Sequence, residues 1–262
     1  MIPPGTSIGK VRLRVADIDA LSEFYERVVG LRSVDREGDL ARPGPEGGEP
    51  LIELASAPTA SPAPSFSTGL FHLAILVPDR PELARALKRV IEQGWRLTGA
   101  SDHLVSEALY LRDPEGNGIE IYRDRPREAW VREDGQLKMT TDPLDVDTLY
   151  DEGVPVLSAW NGLPAGTIIG HIHLRVAQIA PAEHFYCDEL GMKLNARYGH
   201  QASFVAFDGY HHHVAFNTWG GVGAPLPPPG ARGLREFGLK VETGAPRPVT
   251  DPSGHVVRLT RR

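Results

Sequence analysis

The sequence predicts an α+β protein: four βαβββ-type modules forming cupped mixed sheets, with the fourth module lacking its helix. Three observations predict it. Ile8-Gly9-Lys10-Val11-Arg12-Leu13-Arg14-Val15-Ala16 recurs as Ile169-Gly170-His171-Ile172-His173-Leu174-Arg175-Val176-Ala177, and the register carries without a gap from Phe24-Tyr25 to Phe185-Tyr186 and from Gly30 to Gly191. Looser copies open at Phe71-His72-Leu73-Ala74-Ile75 and at Phe237-Gly238-Leu239-Lys240-Val241. Each copy begins with the alternating pattern of a half-buried strand, and in the first three a helical stretch follows.

The elements follow in chain order. The first unit starts with a strand over 8–16, continues as a helix over 19–29 that Gly30 can cap, and includes a strand over 51–54. Residues 55–68, rich in Ala, Ser and Pro, form a surface connection. The second unit places its opening strand at Phe71, a helix over 81–91 with Pro81 in the first turn and Gly94 past the end, and strands over 108–112 and 118–122. Residues 123–167 form a long linker that carries Trp130 and Trp160 and a short helix near 144–150. The third unit repeats the scheme, with a strand over 169–177, a helix over 181–190 capped by Gly191, and strands over 203–207 and 212–217. The fourth passes from Phe237 almost directly to Asp251-Pro252-Ser253-Gly254-His255-Val256-Val257-Arg258-Leu259. The expected division is an N-terminal domain over 1–126 with two modules, a linker over 127–167, and a C-terminal domain over 168–262 with one full and one truncated module. The linker is long enough that the sequence leaves open which modules pair.

Composition narrows the function classes. With 41% hydrophobic and 24% charged residues the chain has the balance of a folded globular protein. A formal charge of −6 and the lack of a basic run argue against a nucleic-acid partner. No apolar stretch reaches membrane-spanning length, and the start MIPPGTSIGK has no signal-peptide core, so the expectation is a soluble cytoplasmic protein. The lone Cys187 excludes an intramolecular disulfide and a Cys-rich zinc site.

Five stretches carry a resemblance: Gly69-Leu70-Phe71-His72-Leu73-Ala74-Ile75-Leu76; Ser101-Asp102-His103-Leu104-Val105-Ser106-Glu107-Ala108-Leu109-Tyr110; Asp113-Pro114-Glu115-Gly116-Asn117-Gly118-Ile119-Glu120-Ile121-Tyr122; Ile169-Gly170-His171-Ile172-His173; and Gly209-Tyr210-His211-His212-His213-Val214-Ala215-Phe216-Asn217-Thr218-Trp219. On these residues the chain resembles the vicinal-oxygen-chelate superfamily of glyoxalase I, bleomycin-type resistance proteins and extradiol dioxygenases, and within it the two-domain catechol 2,3-dioxygenases. The resemblance implies a metal-dependent ring-cleaving dioxygenase that takes a small aromatic diol and O2, uses Fe(II) or alternatively Mn(II), and forms homo-oligomers through sheet edges.

It also implies that the metal ligands lie on the first and last strands of two paired units. The opening-strand positions are Lys10, His72, His171 and Glu236; the closing-strand positions align with Glu53, Glu120, His213 and Arg258. A ferrous site needs two neutral imidazoles and one carboxylate on one face. His72, His171 and Glu120 supply that set if the second and third units share a cup. If sequential units pair instead, Glu53, His72 and Glu120 form a one-imidazole, two-carboxylate site of the glyoxalase kind. His173, two residues along the strand of His171, is a back-up or supporting residue. His213 is a candidate fourth ligand and His212 the candidate acid–base residue, although alternation alone would put His211 and His213 on one face and His212 on the other, and the two alignments of this run differ by one residue. By the same resemblance Tyr110 hydrogen-bonds a diol oxygen and Asp102 belongs to a supporting acidic loop. Gly99 stands where the family carries a further histidine. Arg12 and Arg14 read as a solvated strand face. Three readings remain at this point: an extradiol dioxygenase, a glyoxalase-type isomerase or transferase, and a non-catalytic binding protein with an empty cup. They differ in whether three ligands, two carboxylates with one imidazole, or no cluster at all converge.

Overall fold

Alternation builds the first strand. In β1 (Ser7–Val15) the side chains of Val11, Leu13 and Val15 are buried while Arg12 and Arg14 point to the other face. The Asp17 carboxylate then accepts from the Ala20 amide and starts α1 (Ile18–Phe24), which widens into a π-type turn over Tyr25–Val29. Gly30, at φ 92°, closes it in the left-handed conformation that a side chain would resist. The unit is completed by β2 (Arg32–Glu37), β3 (Leu40–Gly44) and β4 (Ile52–Ser56). The computed structural model describes residues 7–133, 136–153, 162–241 and 245–261; Trp160 lies outside them.

The second unit repeats the scheme with β5 (Gly69–Leu76), α2 (Arg80–Glu92), β6 (Gly99–Asp102), β7 (Ser106–Arg112) and β8 (Gly118–Asp124). Asp79 caps α2 by accepting from the Glu82 amide, and Pro81 sits in its first turn. The linker is more structured than a spacer: β9 (Arg132–Glu133) and β10 (Gln136–Leu137) pair with each other, β11 (Asp142–Pro143) joins β6, and α3 (Val146–Gly153) packs on α2. The third unit holds β12 (Ile168–Arg175), α4 (Ile179–Glu183) with its own π-type turn over His184–Glu189, β13 (Lys193–Tyr198), β14 (Ala202–Ala206) and β15 (Val214–Asn217). The fourth contributes β16 (Gly233–Val241), β17 (Arg247–Thr250) and β18 (Val256–Arg261), with no helix among its described residues. No helix is long and apolar enough to cross a membrane among the described residues.

Pairing of the opening strands decides the architecture. β1 runs antiparallel to β16, which gives a seven-stranded sheet in the order β17-β18-β16-β1-β4-β3-β2. β5 runs antiparallel to β12, which gives a nine-stranded sheet in the order β11-β6-β7-β8-β5-β12-β15-β14-β13. Units one and four therefore share one mixed sheet, and units two and three share the other. The nine-stranded sheet curls until residues near both ends, Ser101 on β6 and Tyr198 on β13, line the same cavity. Its outer face supplies Leu73, Ile75, Ile119, Ile121, Ile172 and Leu174 to a continuous core with the helices and the outer face of β1.

Two equivalent clasps tie the sheets together. The amides of Ala16 and Asp17, after β1, donate to Glu115 Oε1 at 2.7 and 2.9 Å, and the amide of Ala177, after β12, donates to Ser253 Oγ at 3.0 Å. Both acceptors sit in Asp-Pro-x-Gly turns, at Asp113–Gly116 and Asp251–Gly254. The same turns receive the buried hydroxyls of Tyr25, beside Asp113, and of Tyr186, 3.1 Å from Asp251 Oδ2.

Candidate metal centre

The inner face of β5, β8 and β12 places the candidate ligands. His72 pairs in register with Gly118 on one side and with His173 on the other, so β8 and β12 flank it. β8 comes unusually close: a Cβ on Gly118 would meet the Phe71 carbonyl oxygen at 2.1 Å, so glycine is required for the approach that brings Glu120 beside His72. Glu120 Oε2 lies 3.0 Å from His72 Nε2 and 3.0 Å from His171 Nε2. One ligand atom from each of the three side chains falls within 4.8 Å of the others, and all three residues are buried.

This set fits a divalent cation. Ligand atoms held about 2.1 Å from an ion at right angles lie about 3 Å apart, the spacing of both imidazoles from the carboxylate. His72 Nε2, despite its 3.0 Å distance from Glu120, makes no hydrogen bond of acceptable geometry and is fully buried. Such an orphaned nitrogen costs roughly 1–3 kcal/mol, a cost that coordination removes. Burial pushes the His171 imidazole down to about 4, against the pull of Glu120; its Nε2 donates to Glu120 at 3.0 Å, and a bound cation would take the place of that proton. Burial would raise the Glu120 carboxyl, but the His171 and His72 imidazoles beside it outweigh burial and hold it well below the usual carboxylate range.

The alternative carboxylate is elsewhere. Glu53 lies in the seven-stranded sheet, where Arg12 Nε contacts it closely, Arg42 Nε lies 3.2 Å away and Lys10 Nζ 3.9 Å away. Glu236 in turn binds Arg258 at 2.7 Å and Arg12 at 3.2 Å. The set Glu53, His72 and Glu120 therefore does not form, and the expectation of a solvated Arg12 is corrected: Arg12 bridges two carboxylates across the second cup.

The histidine run behaves differently from a strand. The strand expected over 212–217 starts only at Val214, so strict alternation does not apply to His211–His213. His212 packs against His171 at a tilt, with ring centroids 4.1 Å apart, and lines the cavity. Burial, reinforced by His171 and His211, keeps its imidazole neutral, well below the usual histidine range. His213 turns away. Its Nδ1 accepts the Phe207 amide at 3.2 Å and its ring packs on Tyr210, so the structure does not bring it into the ligand cluster. His173 packs edge-on to His72 and Phe71 and at a tilt to Trp219, with its Nε2 2.9 Å from Asn217 Nδ2.

Tyr110 reaches the cluster, with its ring 5.7 Å from that of His72. Burial, and then the nearby Glu120, raise its phenol well above the ordinary tyrosine value, so it keeps its proton. His103 Nδ1 lies 2.6 Å from the Thr140 carbonyl and must donate to it; Nε2 is then an acceptor, and the Tyr110 hydroxyl donates to it at 2.7 Å. Asp102 does not face the cluster: it pairs with Arg125 at 2.6 Å and accepts the Leu104 amide, which holds the turn that presents His103. Asp102, the expected member of a supporting acidic loop, thus holds the turn between β6 and β7, and its neighbour His103 makes the contact with Tyr110.

The cluster opens into a cavity of about 1000 Å³ lined by Phe71, Phe204, Trp219, Met139 and Leu137. Sequence reasoning missed the linker's part in this wall. Gln136–Leu137 and Met139–Thr141 carry no chemistry-bearing motif, and the β11–β6 pairing together with the Thr140–His103 contact brings them over the site.

A family model described as the Glyoxalase/Bleomycin resistance protein/Dioxygenase superfamily matches residues 7–121 and 168–243. A Bacillus subtilis (strain 168) protein named catechol-2,3-dioxygenase is 44% identical over 235 residues, spanning 87% of this chain and 80% of that protein. Among solved structures, a provisionally named dioxygenase of Bacillus subtilis subsp. subtilis str. 168 aligns with a TM-score of 0.62 at 14% identity, covering 97% of this chain and 84% of that one. Glyoxalase I from Zea mays aligns with a TM-score of 0.58 at 15% identity, covering 97% and 92%. At those identities the two structures speak for the fold alone.

Proposed function

Because the chain belongs to the glyoxalase/bleomycin resistance protein/dioxygenase superfamily, we propose that it is an extradiol dioxygenase that opens a catechol-type ring beside its vicinal diol with O2, using Fe(II) or, on the same ligands, Mn(II). The observation that carries this reading is the convergence of two imidazoles and one carboxylate, His72, His171 and Glu120, beside a large cavity. The 44% identity to a protein named catechol-2,3-dioxygenase supports the same reaction. The ionic confinement of Glu53 weighs against the two-carboxylate arrangement of a glyoxalase-type site.

When bound, the ion supplies Lewis acidity that eases deprotonation of the diol, together with open coordination positions. The chain does the rest. His212, neutral and beside His171, accepts a diol proton at Nε2 and returns it as the ring opens. Tyr110, whose O–H is committed to His103, offers its oxygen lone pairs toward the cluster and orients a substrate hydroxyl. Phe71, Trp219 and Phe204 flank the aromatic ring and exclude water. The cavity stands at the top of the roughly 300–1,000 Å³ range of small-molecule sites, so it has room for a catechol bearing a sizeable substituent.

The test is anaerobic purification with iron, elemental analysis, and oxygen uptake with catechol and substituted catechols while the yellow semialdehyde is followed. The expected result is about one iron per chain with oxygen consumed in step with yellow product. His72→Ala and Glu120→Ala should each lose both metal and turnover. Full iron content and full activity in either variant would remove these ligands from the mechanism.

A further inference from the structure

We propose that Asp124 and His211 are positioning residues that fix His212 in its Nδ1–H tautomer, so that its Nε2 lone pair faces the cavity; this rests on the reading of His212 as the acid–base group. His211 is fully buried, and both of its ring nitrogens are engaged: Nε2 lies 2.9 Å from Asp124 Oδ1, and Nδ1 lies 2.8 Å from His212 Nδ1. A carboxylate oxygen can only accept, so His211 carries its proton on Nε2. In the neutral form of His211 its Nδ1 is then a bare acceptor, and the short contact between the two imidazoles has His212 holding a proton on Nδ1. The remaining nitrogen of His212, Nε2, is left unprotonated on a ring that lines the cavity. The opposite arrangement would set a bare Nε2 lone pair of His211 against the Asp124 carboxylate.

The carboxylate is itself held in place. Asp124 lies beside the buried Tyr210, whose phenol it helps to raise after burial, and the Tyr122 hydroxyl lies 2.7 Å from that of Tyr210. Trp130, Tyr210 and Tyr122 enclose the His211 ring, at centroid distances of 5.6, 4.1 and 5.9 Å. The relay crosses between units: Asp124 ends β8 of the second, and His211 precedes β15 of the third. It therefore acts only when these two units share a sheet.

The test reads the tautomer directly. Full-length, zinc-loaded protein labelled with 15N-histidine gives imidazole nitrogen shifts that separate Nδ1–H from Nε2–H, and the His211→Gln variant assigns the two rings. The expected wild-type result is Nδ1–H on His212, with Asp124→Asn shifting that ring toward a mixture of tautomers. In the iron enzyme, Asp124→Asn should lower kcat about 10- to 100-fold at unchanged KM and iron content, and Asp124→Glu should recover part of the loss. Nε2–H on wild-type His212, or a tautomer and kcat indifferent to Asp124→Asn, overturns the proposal. If iron-replete wild type opens no catechol ring, the dioxygenase reading fails, and the nitrogen shifts still decide the tautomer.

Discussion

At Tyr110 a phenol that burial keeps protonated donates to His103 instead of to the cluster beside it. That single direction of donation decides what the residue can do for a substrate: it accepts. Tyr110→Phe removes the acceptor without opening a void, so kcat should fall about 10²-fold while metal content and melting temperature hold, as measured by steady-state kinetics, elemental analysis and calorimetry. Loss of metal in that variant would mean that the phenol supports the ligands instead. The sequence shows Tyr110 ten residues ahead of Glu120, where it resembles the family tyrosine. It could not show the Thr140 carbonyl that sets the His103 tautomer, because that contact comes from the linker and spans 37 residues.

Strand packing sets tolerances at the next scale. Gly170, adjacent to His171 on β12, faces the Tyr122 hydroxyl so closely that an added Cβ would lie 1.9 Å from it. Gly170→Ala should cost about 1–3 kcal/mol through overpacking, read as a lower melting temperature. Combining it with Tyr122→Phe, which deletes the obstructing oxygen, should recover part of that loss; purely additive destabilisation would locate the strain elsewhere. The alternation of β1, β5 and β12 was legible because one face of each strand meets the core and the other meets a cup. The end of that legibility is also physical. Alternation predicts faces only while the chain is extended, and at His211–His213 the chain bends before β15 begins, so His212 and His211 meet while His213 turns toward Phe207.

Across the whole molecule, the two clasps use the same turn with opposite electrostatics. Asp113 is buried with Tyr25 against it, and burial pushes its carboxyl up to about 6. Asp251 is buried too, but the His255 imidazole 2.8 Å away holds it below the ordinary value. The consequences for stability have opposite signs. Between pH about 4 and 6 the folded protein binds a proton at Asp113 that the unfolded chain has released, so this group's contribution falls as pH rises through that window. The contribution of Asp251 is present above the unfolded carboxyl value and is lost as acid passes below it. Thermal melts from pH 4 to 6 should show Asp113→Asn removing a downward component of the stability slope that Asp251→Asn leaves in place. Equal slopes in the two variants would show that Asp113 titrates normally.

The sequence by itself determined the repeated unit, the strands and caps that build it, the superfamily, and the residue types able to hold a cation. These are local properties: period-two alternation, a glycine at a left-handed φ, a proline in a first turn, a histidine on an inward face. It also placed His72, His171 and Glu120 in equivalent or family-spaced positions and made them the expected set, while leaving open which modules pair. Only the tertiary structure decided that β5 pairs with β12 and β1 with β16, which sends Glu53 to an arginine cluster and draws His171 to Glu120. The reason is that four copies of one unit carry nearly the same edge. Local sequence specifies the edge equally well for every partner, and the choice among partners rests on contacts far apart in the chain: the clasps at Glu115 and Ser253, the aromatic closure around His211, and the linker laid across the cavity.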